Sequence, residues 1–233
     1  MLKRWFDILL SAAGLVFSLP LWGLIAVGIK LEDGGPVFYR QQRVGKGSRE
    51  FTALKFRSMV SDSDQTRGAV PASANDPRVT RVGRMLRVTA LDELPQLWNI
   101  LRGEMSFVGP RAEWVELVRT FRREIPGFDQ RHVVQPGLTG LAQIYGHSEL
   151  SRRWKLRYDL LYIKKKNFWL DIRLIAVSFL TTFLGKWEER ERKLPRWLSH
   201  GWRQRVPAAH GRYLPLDSPS LAPERQTSPK TFV

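Results

Sequence analysis

The sequence predicts a mostly helical α+β protein that is attached to a membrane near its N-terminus. Three observations support this class: a long uncharged segment, several stretches with apolar residues at helical spacing, and two strand-like runs separated by glycines. The 233 residues include no cysteine, which excludes disulfides and thiolate metal sites. A formal charge of +16 requires an anionic partner, for which nucleic acid, acidic lipid and phosphorylated substrates are the candidates.

The uncharged segment decides between these partners. It comprises the 22 residues between Asp7 and Lys30, a length typical of a membrane helix. A cleaved signal peptide is the alternative, but the run is long for one and no small-residue cleavage site follows it. We therefore expect anionic lipid headgroups, and no nucleic acid, as partners of the basic residues.

Because this segment contains a proline, the sequence does not decide whether it spans the bilayer or bends back within one leaflet. Pro20 lacks an amide donor and clashes with the carbonyl of Val16, which predicts a kink between two helical arms. A straight helix of this length reaches about 33 Å and spans the bilayer, whereas a sharply bent one stays in one leaflet. Cations on both flanks, Lys3 with Arg4 and then Lys30, suit a hairpin with both ends in the cytoplasm.

A small β-hairpin is expected after the membrane segment. Residues 37–39 and 51–56 have strand composition and flank Gly45-Lys46-Gly47, which lacks the preceding spacing of a Walker motif and is a turn. In an extended chain Lys55 and Arg57 lie on one face. Together they suit a nucleotide diphosphate, or else form a solvated sheet edge.

The remaining chain alternates helical patterns with polar loops. Residues 61–77 predict a loop that covers a site, and residues 113–124, 155–163 and 168–184 predict helices with aromatic and basic residues suited to the water–lipid boundary. A cationic stripe suited to lipid headgroups recurs every third residue at Arg78, Arg81, Arg84 and Arg87. From Pro207 onward the composition predicts disorder.

An acidic pair stands at the head of a helical pattern that runs from residue 91 to 101. Asp92 and Glu93 fit a helix N-terminus capped by Thr89, where acids are favoured for structural reasons alone. The same segment ends at Gly109-Pro110-Arg111, a turn that presents a forked cation suited to phosphate. Neighbouring helical residues point about 100° apart, so the two acids would have different roles.

The motifs occur in the order seen in a known family. Residues 92–97 (DELPQL) and 105–111 (MSFVGPR) resemble those of the bacterial sugar transferases, the monotopic phosphoglycosyl transferases that start polysaccharide and glycoconjugate assembly. Further matching blocks are residues 3–7, 35–38, 42–45, 55–59, 75–78 and 136–140. The chain departs from the family at Ala112, where proline is usual, and at Leu141, Tyr145 and His147. The resemblance therefore does not imply which sugar is transferred.

The resemblance implies a monotopic membrane protein with a re-entrant helix hairpin broken near Ser18 and Pro20. It implies a membrane hairpin over residues 1–33, a catalytic domain with interfacial amphipathic helices over 34–205, and a disordered tail over 206–233. The expected location is the cytoplasmic face of the bacterial inner membrane.

The resemblance also implies an activity, the transfer of a sugar 1-phosphate from a UDP-sugar to polyprenyl (undecaprenyl) phosphate. Asp92 would form an aspartyl-phosphosugar with release of UMP, and Glu93 would help to hold Mg²⁺. The residues expected at the substrate phosphates and sugar are Arg111, Arg87, Lys55, Arg57 and Gln143.

Two alternatives remain at the level of sequence. Asp92 could act as a general base in a direct transfer, or the chain could be a basic membrane scaffold without catalysis. The sugar, the pathway and the oligomeric state are left open, and a homodimer is compatible with the sequence.

Overall fold

The computed structural model describes residues 1–60, 76–146 and 151–183, together with two short strands at 206–207 and 213–214. The fold is mostly helical with small two-stranded sheets, as the sequence predicts. Its helices are α1 (Leu2–Asp33), α2 (Arg81–Val88), α3 (Gln96–Arg102), α4 (Val115–Glu124), α5 (Leu141–Tyr145), α6 (Arg152–Lys165) and α7 (Phe168–Phe183). Its strands are β1 (Phe38–Val44), β2 (Glu50–Phe56), β3 (Ser106–Val108), β4 (Gly137–Thr139), β5 (Val206–Pro207) and β6 (Tyr213–Leu214).

The predicted hairpin is confirmed and is longer than expected at its first strand. β1 pairs antiparallel with β2, and Tyr39 lies directly opposite Lys55. Opposed residues share a face in such a ladder, so Gln41 and Arg43 lie on the same face as Lys55. The other face carries Phe38, whose ring stacks on that of Phe56 at 5.4 Å. One polar face of the hairpin is therefore available to a site.

A parallel pair of strands, β3 and β4, was not predicted. The amide of Gly109 donates to the carbonyl of Thr139 at 3.0 Å, and the amide of Gly137 donates to that of Pro110 at 2.9 Å. A side chain at Gly109 or Gly137 would collide with the backbone of the other strand. These glycines let the chain approach closely enough to fix the turn before Arg111.

The helical pattern that begins at residue 91 is split into two elements. Residues Leu91–Glu93 form a 3-10 helix, and α3 begins only after Pro95. Proline cannot donate to the carbonyl four residues earlier, which explains the break. Thr89 is no N-cap for this segment, because its hydroxyl donates to Met85 at 2.8 Å. The prediction of one continuous helix was wrong, although both acids do lie in the first turn of the 3-10 helix.

Helix α1 runs from Leu2 to Asp33 without a break in its helical assignment at Pro20. This assignment tests neither the predicted kink of the helix axis at Pro20 nor a re-entrant path, so both stay predictions. On the N-terminal side of Pro20, Ser18 accepts a hydrogen bond at 3.0 Å from the indole of Trp22. In the described chain, α1 is the one helix long and apolar enough to cross a membrane, and only 11% of its most apolar window is buried.

Both ends of α1 are fastened to the same folded body. At the N-terminal end, the ammonium group of Lys3 lies 2.6 Å from the carboxylate of Asp171 on α7. At the other end, Asp33 forms an ion pair with Arg57, and Glu32 accepts hydrogen bonds from the first two amides of α2. The apolar helix and the body thus form one unit.

The helices predicted near residues 113–124, 155–163 and 168–184 are confirmed as α4, α6 and α7. Of the cationic stripe, Arg78 lies before α2 and pairs with Asp76. Several predictions fall outside the described residues: the loop at 61–75, His147, and the tail apart from the paired strands β5 and β6.

Candidate active site

The acidic pair opens onto a cleft of about 1090 Å³. Its walls are the polar face of the hairpin, the end of α2, the 3-10 helix, the turn at Arg111 and one face of α7. Elements distant in sequence therefore converge on Asp92 and Glu93. Ser18 and Pro20 are not among the residues that line it.

Lys55 links the hairpin to the acidic pair. Its ammonium nitrogen lies 2.6 Å from Oε1 of Glu93 and 3.8 Å from Oδ2 of Asp92. All three side chains are largely buried, and Asp92 is only 8% exposed. A buried cation is poorly screened by water, so Lys55 interacts strongly with both carboxylates.

Arg111 also contacts the acidic pair. Its Nη2 donates to Oε1 of Glu93 at 3.0 Å, so this oxygen accepts from two cations. The Gly-Pro-Arg turn and the acidic pair are thus brought together. The carboxylate of Asp92 interacts with Lys55 over a longer distance than that of Glu93 does.

The other residues expected at the substrate take up different positions in the cleft. The Nε of Arg87 donates to Ser58 at 2.9 Å, and its charge acts on Asp92. Arg57 also lines the cleft, but its guanidinium is paired with Asp33, so it does not join the cations at the acidic pair. Gln143 lines the cleft as well, and within the described part of the chain its amide atoms are buried without a hydrogen-bond partner.

The two carboxyl groups differ in their proton affinity. Burial raises the pKa of Asp92, and this effect outweighs the opposing charges of Lys55, Arg87 and Arg111. Burial acts in the same direction on Glu93, but Lys55 and Arg111 outweigh it and hold the pKa of Glu93 well below its usual range. Carboxyl groups whose environments push their pKa values apart are suited to separate chemical roles.

Two buried arginines that the sequence analysis did not single out hold the main chain at Arg111. Arg43 donates to the carbonyl of Ala112 at 2.9 Å. Arg131 donates through Nη2 to the carbonyl of Arg111 at 2.7 Å, and the same nitrogen lies 2.9 Å from Asp159. Arg43 lies in one of the motif blocks, whereas no pattern in the sequence marks Arg131.

The acidic pair has too few ligands to bind a divalent cation alone, but it fits a cation that is also bound by a substrate. The described residues contain no cluster of three or more candidate metal ligands. Mg²⁺ is commonly bound by one or two carboxylates together with substrate phosphates and water. Asp92 and Glu93 fit such a shared arrangement, in which the second oxygen of Glu93 is not engaged by the two cations.

Comparison with known proteins places most of the chain in one family. The family of bacterial sugar transferases matches residues 1–185. An N-acetylgalactosaminephosphotransferase that uses UDP-N-acetylgalactosamine and undecaprenyl phosphate, from Aeromonas hydrophila, is 44% identical over 187 residues, covering 79% of this chain and 44% of the relative. A UDP-glucose:undecaprenyl-phosphate glucose-1-phosphate transferase from Xanthomonas campestris pv. campestris is 44% identical over 177 residues, covering 74% of this chain and 37% of the relative.

A shorter relative matches over nearly its whole length. The exopolysaccharide production protein PSS from Rhizobium leguminosarum bv. phaseoli is 39% identical over 195 residues, covering 79% of this chain and 98% of the relative. The chain therefore spans less than half of the first two relatives and almost all of the third. The names of the first two relatives specify different sugars.

Proposed function

Because the chain belongs to the bacterial sugar transferase family, we propose that it transfers a sugar 1-phosphate from a UDP-sugar to undecaprenyl phosphate. The names of similar proteins support these substrates. The observation that carries the proposal is the buried acidic pair, which shares a cleft with Lys55, Arg87 and Arg111. A carboxylate nucleophile surrounded by cations is the equipment that phosphoryl transfer needs.

Asp92 is the nucleophile of the proposed reaction. One of its carboxylate oxygens bonds to the sugar-linked phosphorus, while the bond between that phosphorus and the bridging oxygen breaks and UMP leaves. The phosphate of the lipid then attacks the same phosphorus, and the carboxylate of Asp92 departs. The raised pKa of Asp92 favours this role, because a more basic carboxylate is a better nucleophile once it is ionised.

The surrounding cations stabilise the charge that develops on the transferred oxygens. Arg111 offers a planar fork and Lys55 a compact charge, and the charge of Arg87 also acts on Asp92. Glu93 holds Lys55 and Arg111 in place before substrate arrives. It is also the residue that would hold Mg²⁺, which when bound neutralises charge on the diphosphate.

The protein works at one face of the membrane. Exposed apolar side chains along α1 require lipid, while both ends of that helix are fastened to the body that carries the cleft. A helix whose two ends remain on one side enters a single leaflet and returns, and the cytoplasmic face of the inner membrane is the side that holds UDP-sugars. The exposed Arg81 and Arg84 of α2 then meet anionic headgroups.

Purified protein in detergent tests this function. It is incubated with undecaprenyl phosphate, Mg²⁺ and a panel of UDP-sugars, and UMP is measured. We expect release with at least one sugar and none from Asp92→Asn that remains folded. Lipid binding without UMP release from any UDP-sugar would instead favour a basic membrane scaffold.

A further inference from the structure

One wall of the cleft is largely apolar and has no role in the phosphoryl transfer proposed above. Ile175, Ser178, Phe179 and Thr182 line it from α7. Their spacing of three, one and three residues places them on one face of the helix. Phe179 is 69% exposed, so this face presents a large aromatic ring to whatever enters the cleft.

The position of this wall is fixed by a neighbouring face of α7. Leu170 and Leu174 are buried in a cluster that includes Val108 and Tyr162. Val108 ends β3, the strand that leads directly into the turn at Arg111. The apolar wall is therefore held in a set position relative to the cations of the cleft.

Two further apolar residues of the same cleft come from α2 and from the 3-10 helix. Val88, at the end of α2, and Leu91, next to Asp92, also line the cleft. Val88 is 65% exposed. Val88, Leu91, Ile175 and Phe179, here called the apolar strip, thus line the same cleft as Lys55, Arg87, Arg111 and the two carboxylates.

We propose that this apolar strip binds the first isoprene units of the lipid acceptor and directs its phosphate to Asp92. The inference rests on the proposed function, and it assigns the acceptor to particular side chains. The ligand that matches this cleft has a long apolar chain with a phosphate at one end, since the apolar strip shares the cleft with a cluster of cations. A UDP-sugar has no apolar tail and leaves the strip unfilled.

Variants on two sides of α7 test the assignment. Phe179→Ala and Ile175→Ser change the strip, whereas Trp169→Ala removes an exposed aromatic ring of the same helix that does not line the cleft. The two half-reactions are measured separately, as UMP release without acceptor and as transfer of the sugar phosphate to undecaprenyl phosphate. We expect each strip variant to lose about tenfold in kcat/KM for the acceptor, the effect of losing one apolar contact, with UMP release unchanged.

The control should match the wild type in both half-reactions. Equal acceptor kinetics in the strip variants and the wild type would overturn the assignment, as would parallel loss of both half-reactions. Absence of UMP release from the wild type would instead contradict the proposed function itself, so the two failures are distinguishable.

Photocrosslinking tests the strip without relying on turnover. An isoprenyl phosphate with a diazirine in its first unit is irradiated with the full chain, and crosslinked peptides are identified by mass spectrometry. We expect adducts within residues 175–182 or 88–91, and competition by undecaprenyl phosphate but not by phosphatidylglycerol. Adducts elsewhere, or equal competition by phosphatidylglycerol, would show that these residues are only a general lipid surface and would overturn the proposal.

Discussion

The buried ion pair between Arg131 and Asp159 yields the sharpest prediction, because it separates the stability of the fold from the positioning of Arg111. The two side chains are 5% and 2% exposed, and Nη2 of Arg131 lies 2.9 Å from Asp159. The same nitrogen donates to the carbonyl of Arg111. Within the described residues Nε of Arg131 has no hydrogen-bond partner, so the pair is incompletely satisfied.

Replacing Arg131 with methionine leaves Asp159 buried without its cation. Breaking a buried pair from one side costs about 3–5 kcal/mol. Burial has already raised the pKa of Asp159 to about 6, despite the opposing charge of Arg131. Its carboxyl group can therefore take up a proton when the cation is lost, and we expect about 3 kcal/mol, the lower end of that range.

The pH dependence of this loss has a definite sign. In the variant, the folded-state pKa of Asp159 lies further above its unfolded value than in the parent, so the folded state binds more protons. The free energy of unfolding of Arg131→Met should then fall as the pH rises from about 4 through that folded-state pKa.

The double variant Arg131→Met/Asp159→Leu removes both charges. Replacing a whole buried pair by apolar residues is often neutral or better, so stability should return to within about 1 kcal/mol of the parent. The carbonyl of Arg111 still lacks its charged donor, so the side chain of Arg111 is less precisely positioned at the cleft. We therefore expect kcat/KM for UMP release to fall roughly tenfold to a hundredfold.

Urea unfolding followed by tryptophan fluorescence, and UMP release by the same samples, measure both effects. Recovered stability together with lost activity supports a positioning role for Arg131. A double variant that is both stable and fully active would refute this reasoning.

Four further predictions concern the acidic pair and the turn before Arg111. Lys55→Met should lower kcat for UMP release by about a hundredfold, because a cation near the developing charge is lost; Lys55→Arg should keep part of the activity, and equal rates in both would contradict this role. Single-turnover UMP release should fall as the pH drops through the raised pKa of Asp92, since only the carboxylate attacks. Arg87→Met should move that pH profile upward, because the charge of Arg87 favours the ionised form; an unmoved profile would contradict it. Gly109→Ala should lower the unfolding midpoint and the activity together, as it separates β3 from β4, and an unchanged midpoint in thermal unfolding would show that the strands tolerate a side chain.

The local parts of this fold could be predicted from the sequence. The hairpin follows from strand composition around Gly45 and Gly47, and α7 follows from helical spacing of apolar residues. The break after Glu93 was also marked in the sequence, because Pro95 cannot donate to a helix that begins at residue 91. Longer-range features left no such mark. The parallel pairing of β3 with β4 joins segments far apart in the chain, and no pattern shows which carbonyl a buried Arg131 will hold.

The candidate site was predicted mainly from the order of its motifs along the chain, and less from the physical properties of the individual residues. From the sequence, Asp92 with Glu93 fits a capped helix equally well, and it is the contact of Lys55 and Arg111 with Glu93 that favours an active site. Helix α1 stays helical through Pro20, where the sequence predicts a kink of its axis. Proline is tolerated in membrane helices where side chains and local adjustment satisfy the freed carbonyl.

The most direct test of the account is the mass of the intact protein after incubation with its UDP-sugar and Mg²⁺ in the absence of lipid acceptor. We predict an increase equal to one sugar phosphate, located on the peptide that contains Asp92 and absent from Asp92→Asn. If no adduct forms although the same sample transfers sugar phosphate when undecaprenyl phosphate is added, the reaction proceeds directly between the two substrates, and Asp92 is not the nucleophile.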